Sequence, residues 1–243
     1  MKILNRLTND VIFECECKTQ KECIEKAVAS GIALWSADLE GANLEEVCLK
    51  GADLRGANLM YANLRGANLR GALLGYADIT SANFEGANLE EVCLEGANLW
   101  HSNLRGANLR GAGLRGAHLR GADLRHANLR GASFKYANIE CVNFEGADLE
   151  KVDLWAAHLC CSNFMSANLW GEKISNCPLC FCLWLCEICI TDRKIKIDGQ
   201  LHTTVAWEHF TDDEIKQMFD QPTVEFWHKW KNVILAIAKE HQK

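Results

Sequence analysis

The sequence predicts an all-β solenoid, in which the chain turns at every fifth residue and stacks its turns, with a small cap at either end. Three observations carry that reading. From Leu34 every fifth residue through Ile174 is Leu, Ile or Phe, 29 positions without a slip. A small residue, mostly Ala, stands two places before each beat from Leu39 to Leu169, with Val47, Val92, Val142 and Val152 the larger exceptions. Asn or Asp usually separates the two, and Gly often closes the word. Self-similarity at a fixed period is the mark of a repeat architecture and precedes any helix or strand assignment.

Five fits neither regular period. In a flat strand an offset of five is odd, so successive leucines would point to opposite faces and share no core. In an α-helix five residues advance about 500°, which would spray leucines around every face. The frequent Gly would also cost such a helix about 1 kcal/mol each. What remains is a short extended piece, Ala-Asn-Leu, followed by a turn. Ala and Leu, two apart, point inward together, and the Asn or Asp between them points out. Gly supplies the positive φ of the corner, and Asn or Asp hydrogen-bonds locally there.

Before the repeats, "VIFECE" at 11–16 reads as a strand, and "TQKECIEKAVASG" as a helix with Thr19 and Glu22 as a capping box and Gly31 as its stop. After Gly171 the Gly punctuation fades. There "CFCLWLCEICITDRKIKI" reads as strands, and Thr211 and Glu214 open a short helix. Residues 223–240 carry Phe226, Trp227, Trp230, Val233, Ile234 and Ile237 at helical spacing. The expected domains are an N-terminal cap over 1–31, the repeats over 32–171 and a small α+β module over 172–243. Because an uncovered solenoid end exposes unpaired backbone, both flanks are expected to close it. The aromatic stripe of Phe226, Trp227, Trp230 and Ile234 is read as the core of that closure or as a homodimer interface.

Composition narrows the function. With 243 residues and 49% apolar content, the chain has enough material for a sizeable core. Two prolines and a net charge of -6 argue against a Pro-rich disordered tail and against direct nucleic-acid binding. The longest apolar run, "PLCFCLWLCEICI", is thirteen residues, against the roughly 20 that span a bilayer, so no membrane association is expected. The start lacks an apolar h-region and a cleavage site, and the thirteen cysteines then read as reduced thiols in a cytoplasmic protein.

The A(N/D)LxG word, uninterrupted over residues 32–171, resembles the pentapeptide-repeat family. The resemblance implies that four words make one coil of a right-handed quadrilateral β-helix, so 28 words give about seven coils. At roughly 4.8 Å per coil the rod would be about 34 Å long. It also brings the family's best-known activity into view, quinolone protection by acidic rods that mimic DNA and bind DNA gyrase or topoisomerase IV. Here the likeness is of scaffold only. Residues 32–171 hold 12 Lys plus Arg against 16 Asp plus Glu, and no loop interrupts the coils. The end of the chain, with "ITDRKIKI", "DDEI" and "FWHKWK", resembles a module that follows such repeats in some bacterial and phage proteins. It departs from that module at Asp198 and Gly199, where Gly-Cys is expected.

With twenty residues per coil, the residue after each beat can be assigned a neighbour. Arg105, Arg110 and Arg115 fall beside Glu85, Glu90 and Glu95, and Arg120, Arg125 and Arg130 beside Glu140, Glu145 and Glu150. Such cross-strand pairs are worth about 0.2–1 kcal/mol each and fix register. The sharper alternative is a basic belt that recruits an acidic or nucleic-acid partner, although the flanking glutamates weaken its field. Cys177, Cys180, Cys186 and Cys189 form CxxC-x5-CxxC, a pairing that suits tetrahedral zinc, set against a buried apolar strand. No other cofactor is expected. The eight histidines are scattered, and no nucleophile with its base, and no phosphate-cradling Gly loop, is visible. The expectation is a non-enzymatic scaffold for a protein partner whose identity stays open, with gyrase-directed DNA mimicry as the first alternative and a zinc-binding C-terminal module as the second.

Overall fold

A computed structural model describes residues 1–154, 157–159, 161–169, 172–173, 179–183, 186–190, 194–197, 200–219 and 221–241. The chain opens with β1 (Lys2–Leu4) paired antiparallel to β2 (Val11–Glu14), followed by α1 (Gln20–Ala29). Thr19 caps α1 by accepting from the Glu22 amide at 3.2 Å, but the carboxylate of Glu22 accepts from the Lys18 amide, so only half of the expected capping box forms. The helix stops as expected. Gly31 has φ +71°, its amide donates to Val28, and Ile32 donates to Ala27, the paired closure of a Schellman end.

From Asp38 onward the chain coils. The residue between Ala and Leu makes a parallel bridge with the residue twenty positions on, in an unbroken series from Asp38↔Asn58 to Asn143↔Asn163. An offset of twenty is four words, so the rod has four sides. Each bridge is made by two hydrogen bonds, as when Leu39 donates to the Asn58 carbonyl at 2.8 Å and Asn58 donates to Ala37 at 2.9 Å. The corner closes locally, Ala42 donating to Leu39 at 3.1 Å around Gly41 with φ +61°. Positive φ at the third turn position is the type II pattern. Gly is not obligatory there: Ser36, Glu46, Tyr61, His101 and Lys151 hold the same left-handed conformation. The cost of about 1–2 kcal/mol for a side chain in that region is offset by the cross-coil hydrogen bonds on either side.

The Asn column does more than turn the chain. Asn63 accepts from the Arg65 amide at 3.3 Å, and its Nδ2 donates to Asn43 Oδ1 one coil back. The same pattern runs through Asn83, Asn103, Asn108, Asn128 and Asn163, tying side chain to side chain along the rod. Inside, the beats and their Ala partners are buried in one continuous core from Leu34 to Ala167. Phe144 and Phe164 stack at 4.9 Å one coil apart. Ser102 and Ser162 take the Ala place, and each donates its hydroxyl to a core carbonyl, at 2.8 and 2.5 Å, so neither leaves a buried polar atom unmatched.

The N-terminal segment covers the open end. Asp38 donates to Leu4, Arg6 donates to Ser36, Lys21 Nζ donates to the Glu45 carbonyl, and Glu25 accepts from the Cys48 amide. Ile3, Cys23, Ile24 and Ala27 join the rod core. One expectation changes here. Cys15 and Cys17 are not thiols but a disulfide, since the two-residue spacing puts their Cα atoms 5.6 Å apart, inside bonding range.

At the other end, β3 (Asp148–Leu149) runs parallel to β4 (Asn168–Leu169), which pairs antiparallel with β5 (Glu172–Lys173). A separate antiparallel sheet follows in the order β6 (Leu179–Leu183), β7 (Cys186–Ile190), β8 (Lys194–Ile197), β9 (Gln200–Thr203). Three helices close the chain: α2 (Thr204–His209), α3 (Asp212–Met218) and α4 (Gln221–His241). The Thr211–Glu214 capping box opens α3 with both of its hydrogen bonds in place. This module has its own core of Ile195, Ile197, Trp207, Ile215, Val224, Trp227, Ile234, Leu235 and Ala238.

Candidate functional site

The six belt arginines follow the beat and project outward, but the structure treats them differently. Arg110 reaches Glu90 at 2.9 Å and Arg115 reaches Glu95 at 3.6 Å. Arg130 pairs with Glu150 and also reaches Asp148 at 3.4 Å. Arg125 turns instead to Asp123, two residues back on its own strand, at 2.6 Å, because that carboxylate faces out beside it. Its hydrogen bonds hold the Asp123 carboxyl below the usual range, and Arg55 does the same to Asp53. Arg105 and Arg120 are the exceptions: among the described residues neither has a carboxylate within 4.0 Å. The expected partners Glu85 and Glu140 lie in their columns without closing on them.

Glu90 binds two cations, Arg70 at 3.5 Å and Arg110 at 2.9 Å. Beside this column lies a shallow groove of about 290 Å³ whose floor is Gly111 and Gly131, with Glu90 and Glu91 at one end and Lys151 at the other. Its arginines, Arg110 and Arg130, are already bound to carboxylates, so the groove is largely neutralised.

The neighbouring side of the rod is different. The words ending at Arg65, Glu85, Arg105 and Arg125 stack through the bridges Asn63↔Asn83↔Asn103↔Asp123. That stacking brings Met60 and Tyr61, Trp100 and His101, and Arg120 onto one edge, with Arg105 across the same side. Tyr61 is 60% exposed and Trp100 44% exposed. His101 is held flat: a Cβ on Gly121 would meet its Nδ1 at 2.6 Å, so the glycine one coil on is what lets the ring lie there. Tyr, Trp and Arg are the residue types that dominate binding energy at protein interfaces. Sequence reasoning named the arginines and passed over the aromatics, although Met60, Tyr61, Trp100 and His101 each interrupt a word where polar residues or Gly are usual.

Of the C-terminal candidates, Trp227 and Ile234 lie fully inside the module core. The side chains of Phe226 and Trp230 lie outside the described residues. For the CxxC pair the backbone sets Cys180 opposite Cys189, and Cys186 opposite Leu183, in the β6–β7 ladder. Their side chains, and all of Cys177, are outside the described residues. Among those residues no helix is long and apolar enough to cross a membrane.

The family model for pentapeptide repeats matches in 8 copies, over residues 37–75, 57–96, 77–121, 93–131, 112–155 and 143–177, which is more than half of the chain. No curated protein sequence matches it. Among solved structures, a pentapeptide repeat protein from the Arabidopsis thaliana thylakoid lumen aligns at 36% identity over 37% of this chain and 63% of its own, with a TM-score of 0.36. HetL, a pentapeptide repeat protein involved in heterocyst differentiation regulation in the cyanobacterium Nostoc, aligns at 32% over 57% of this chain and 71% of its own, TM-score 0.30. QnrB1, a plasmid-mediated fluoroquinolone resistance protein, aligns at 20% over 55% of this chain and 71% of its own, TM-score 0.30.

Proposed function

Because this chain belongs to the pentapeptide-repeat family of quadrilateral β-helices, we propose that it is a non-enzymatic scaffold of about seven coils, capped at both ends, that docks an acidic protein partner. The docking side is the one carrying Tyr61, Trp100, His101, Arg105 and Arg120. One observation supports this above the rest: among the described residues Arg105 and Arg120 carry no ion pair, on a rod where the other belt arginines are satisfied within the chain. Such charges steer an acidic surface to its place, and the exposed aromatics beside them supply contact area once it arrives.

DNA mimicry has weaker support, because the acidic residues of the rod share its sides with the belt arginines, Arg105 and Arg120 among them, and form no unbroken acidic face. The reading is tested by photocrosslinking. A benzoylphenylalanine in place of Trp100 should trap one partner from native extract, and the same group in place of Leu73, on another side, should trap none. Equal trapping at both positions would sink it. A gyrase supercoiling assay with and without quinolone runs beside it, and protection there would move the assignment to the DNA-mimic alternative.

A further inference from the structure

The N-terminal cap holds a cluster of sulfur where Cys23 enters the rod core and Cys15 and Cys17 pack against it. The Sγ atoms of Cys15, Cys17 and Cys23 all lie within 4.8 Å of one another. Cys15 and Cys17 are bonded to each other, on the segment between β2 and α1, and both are half-buried. Cys23 comes from the opening of α1, is fully buried, and donates its thiol to the Met1 carbonyl at 3.6 Å. A disulfide needs only two sulfurs. The third converges on it from another element, inside a core that could have taken Ala or Val.

We propose that the reduced cap is a binding site for a thiophilic d10 cation, copper(I), held by three thiolates. A d10 ion with sulfur at about 2.3 Å keeps three ligands in a plane roughly 4 Å apart, which this set reaches once the disulfide opens. Soft thiolates select copper(I) and zinc over harder ions. Zinc asks for a fourth ligand, and among the described residues no further His, Cys, Asp or Glu atom joins the three. That leaves a monovalent ion content with three sulfurs as the better fit. The site opens by a two-electron reduction: a small thiol or dithiol reductant supplies two electrons and two protons, and the Cys15–Cys17 bond becomes two thiols. The three thiols then lose three protons to water as they bind the cation. The disulfide and the metal are alternative states of one cap: the disulfide closes the Cys15–Cys17 segment on itself, and the metal ties that segment to Cys23 on α1, over the open end of the rod.

The test titrates the whole chain, reduced with a phosphine and kept anaerobic, with copper(I) against bicinchoninate as a chromophoric competitor. One equivalent should be withdrawn from the competitor by the parent. Cys15→Ser and Cys17→Ser should each weaken that equivalent at least 100-fold, as should Cys23→Ser if it folds. The quadruple variant Cys177→Ser/Cys180→Ser/Cys186→Ser/Cys189→Ser should retain it. The proposal is overturned if the quadruple variant loses the equivalent while Cys17→Ser keeps it. It is overturned equally if the parent, with its thiols shown to be reduced by titration, withdraws no copper at all. Zinc held at these three cysteines more tightly than copper(I) would overturn the three-coordinate assignment.

Discussion

Leu109 and Trp207 are both fully buried, yet they sit in cores built on opposite plans. Leu109 fills one place in a column that Leu89 and Leu129 continue above and below, and each coil repeats its neighbours' contacts. Trp207 has no counterpart. Its ring lies 5.4 Å from His202 and Phe210, 6.0 Å from Phe219 and 5.0 Å from Trp227, and its Nε1 donates to the Ile195 carbonyl at 2.7 Å. The rod is held by redundancy, in the manner of a quasi-one-dimensional stack, and the C-terminal module by one central residue. Outer positions of the rod are correspondingly free to vary, which is what leaves a side available for docking.

Four measurements would break or sharpen that contrast. The largest effect is expected from Leu109→Asp, which puts an unpaired carboxylate into a narrow dry core; no soluble folded chain should be recovered, whereas Arg110→Ala should shift stability by no more than about 0.5 kcal/mol. Equal stability of the two would undo the inside and outside assignment. Next, Trp207→Ala should cost about 3–5 kcal/mol, and the loss should be confined to the C-terminal module. Hydrogen exchange would show rapid exchange in α2 and α4 with the repeat amides still protected. Exchange rising along the rod as well would mean that the two cores are one cooperative unit.

Smaller effects test the ion pairs. Glu90→Gln removes the partner of both Arg70 and Arg110 and should lower thermal stability by about 1 kcal/mol at low salt, a loss that fades near 1 M salt, where screening falls to roughly 3 Å. Glu85→Gln, which removes no arginine ion pair among the described residues, should be silent in the same melting experiment. The smallest effect is acidic. Asp53 and Asp123 have folded-state values below the ordinary 3.8 because Arg55 and Arg125 hydrogen-bond to them. Their contribution is therefore present above about pH 4 and lost as pH falls through the lowered values. The double variant Asp53→Asn/Asp123→Asn should melt with a shallower decline below pH 4 than the parent; parallel curves would show that the pairs contribute nothing.

Much of the rod could be read from Leu34 to Ile174 because the word is its own register mark: an odd period excludes helix and flat strand, and Ala two before Leu fixes the inward face. The corners were legible only in part. Gly121 looks like a routine turn residue, and only the structure shows His101 lying over it. The ladder was right in spacing at Arg110, Arg115 and Arg130 and missed at Arg105, Arg120 and Arg125, because sequence spacing gives columns but not rotamers, and at Arg125 the carboxylate of Asp123 on the same strand was nearer than any residue a coil away. The disulfide at Cys15 and Cys17 went unseen for a different reason. An inference about redox compartment says nothing about two sulfurs that local geometry already brings into bonding range.

The central claim is that two outer charges of this rod, Arg105 and Arg120, which have no ion pair among the described residues, serve a partner rather than the fold. Arg105→Glu/Arg120→Glu should be compared with the parent by thermal melting and by equilibrium binding to the partner crosslinked at position 100. The account predicts a melting temperature within about 2 °C of the parent, as for surface substitutions away from special features, together with a loss of at least tenfold in affinity, since truncation at a hot spot costs more than about 1 kcal/mol. Unchanged affinity, or a large fall in melting temperature with no separate effect on binding, would contradict it.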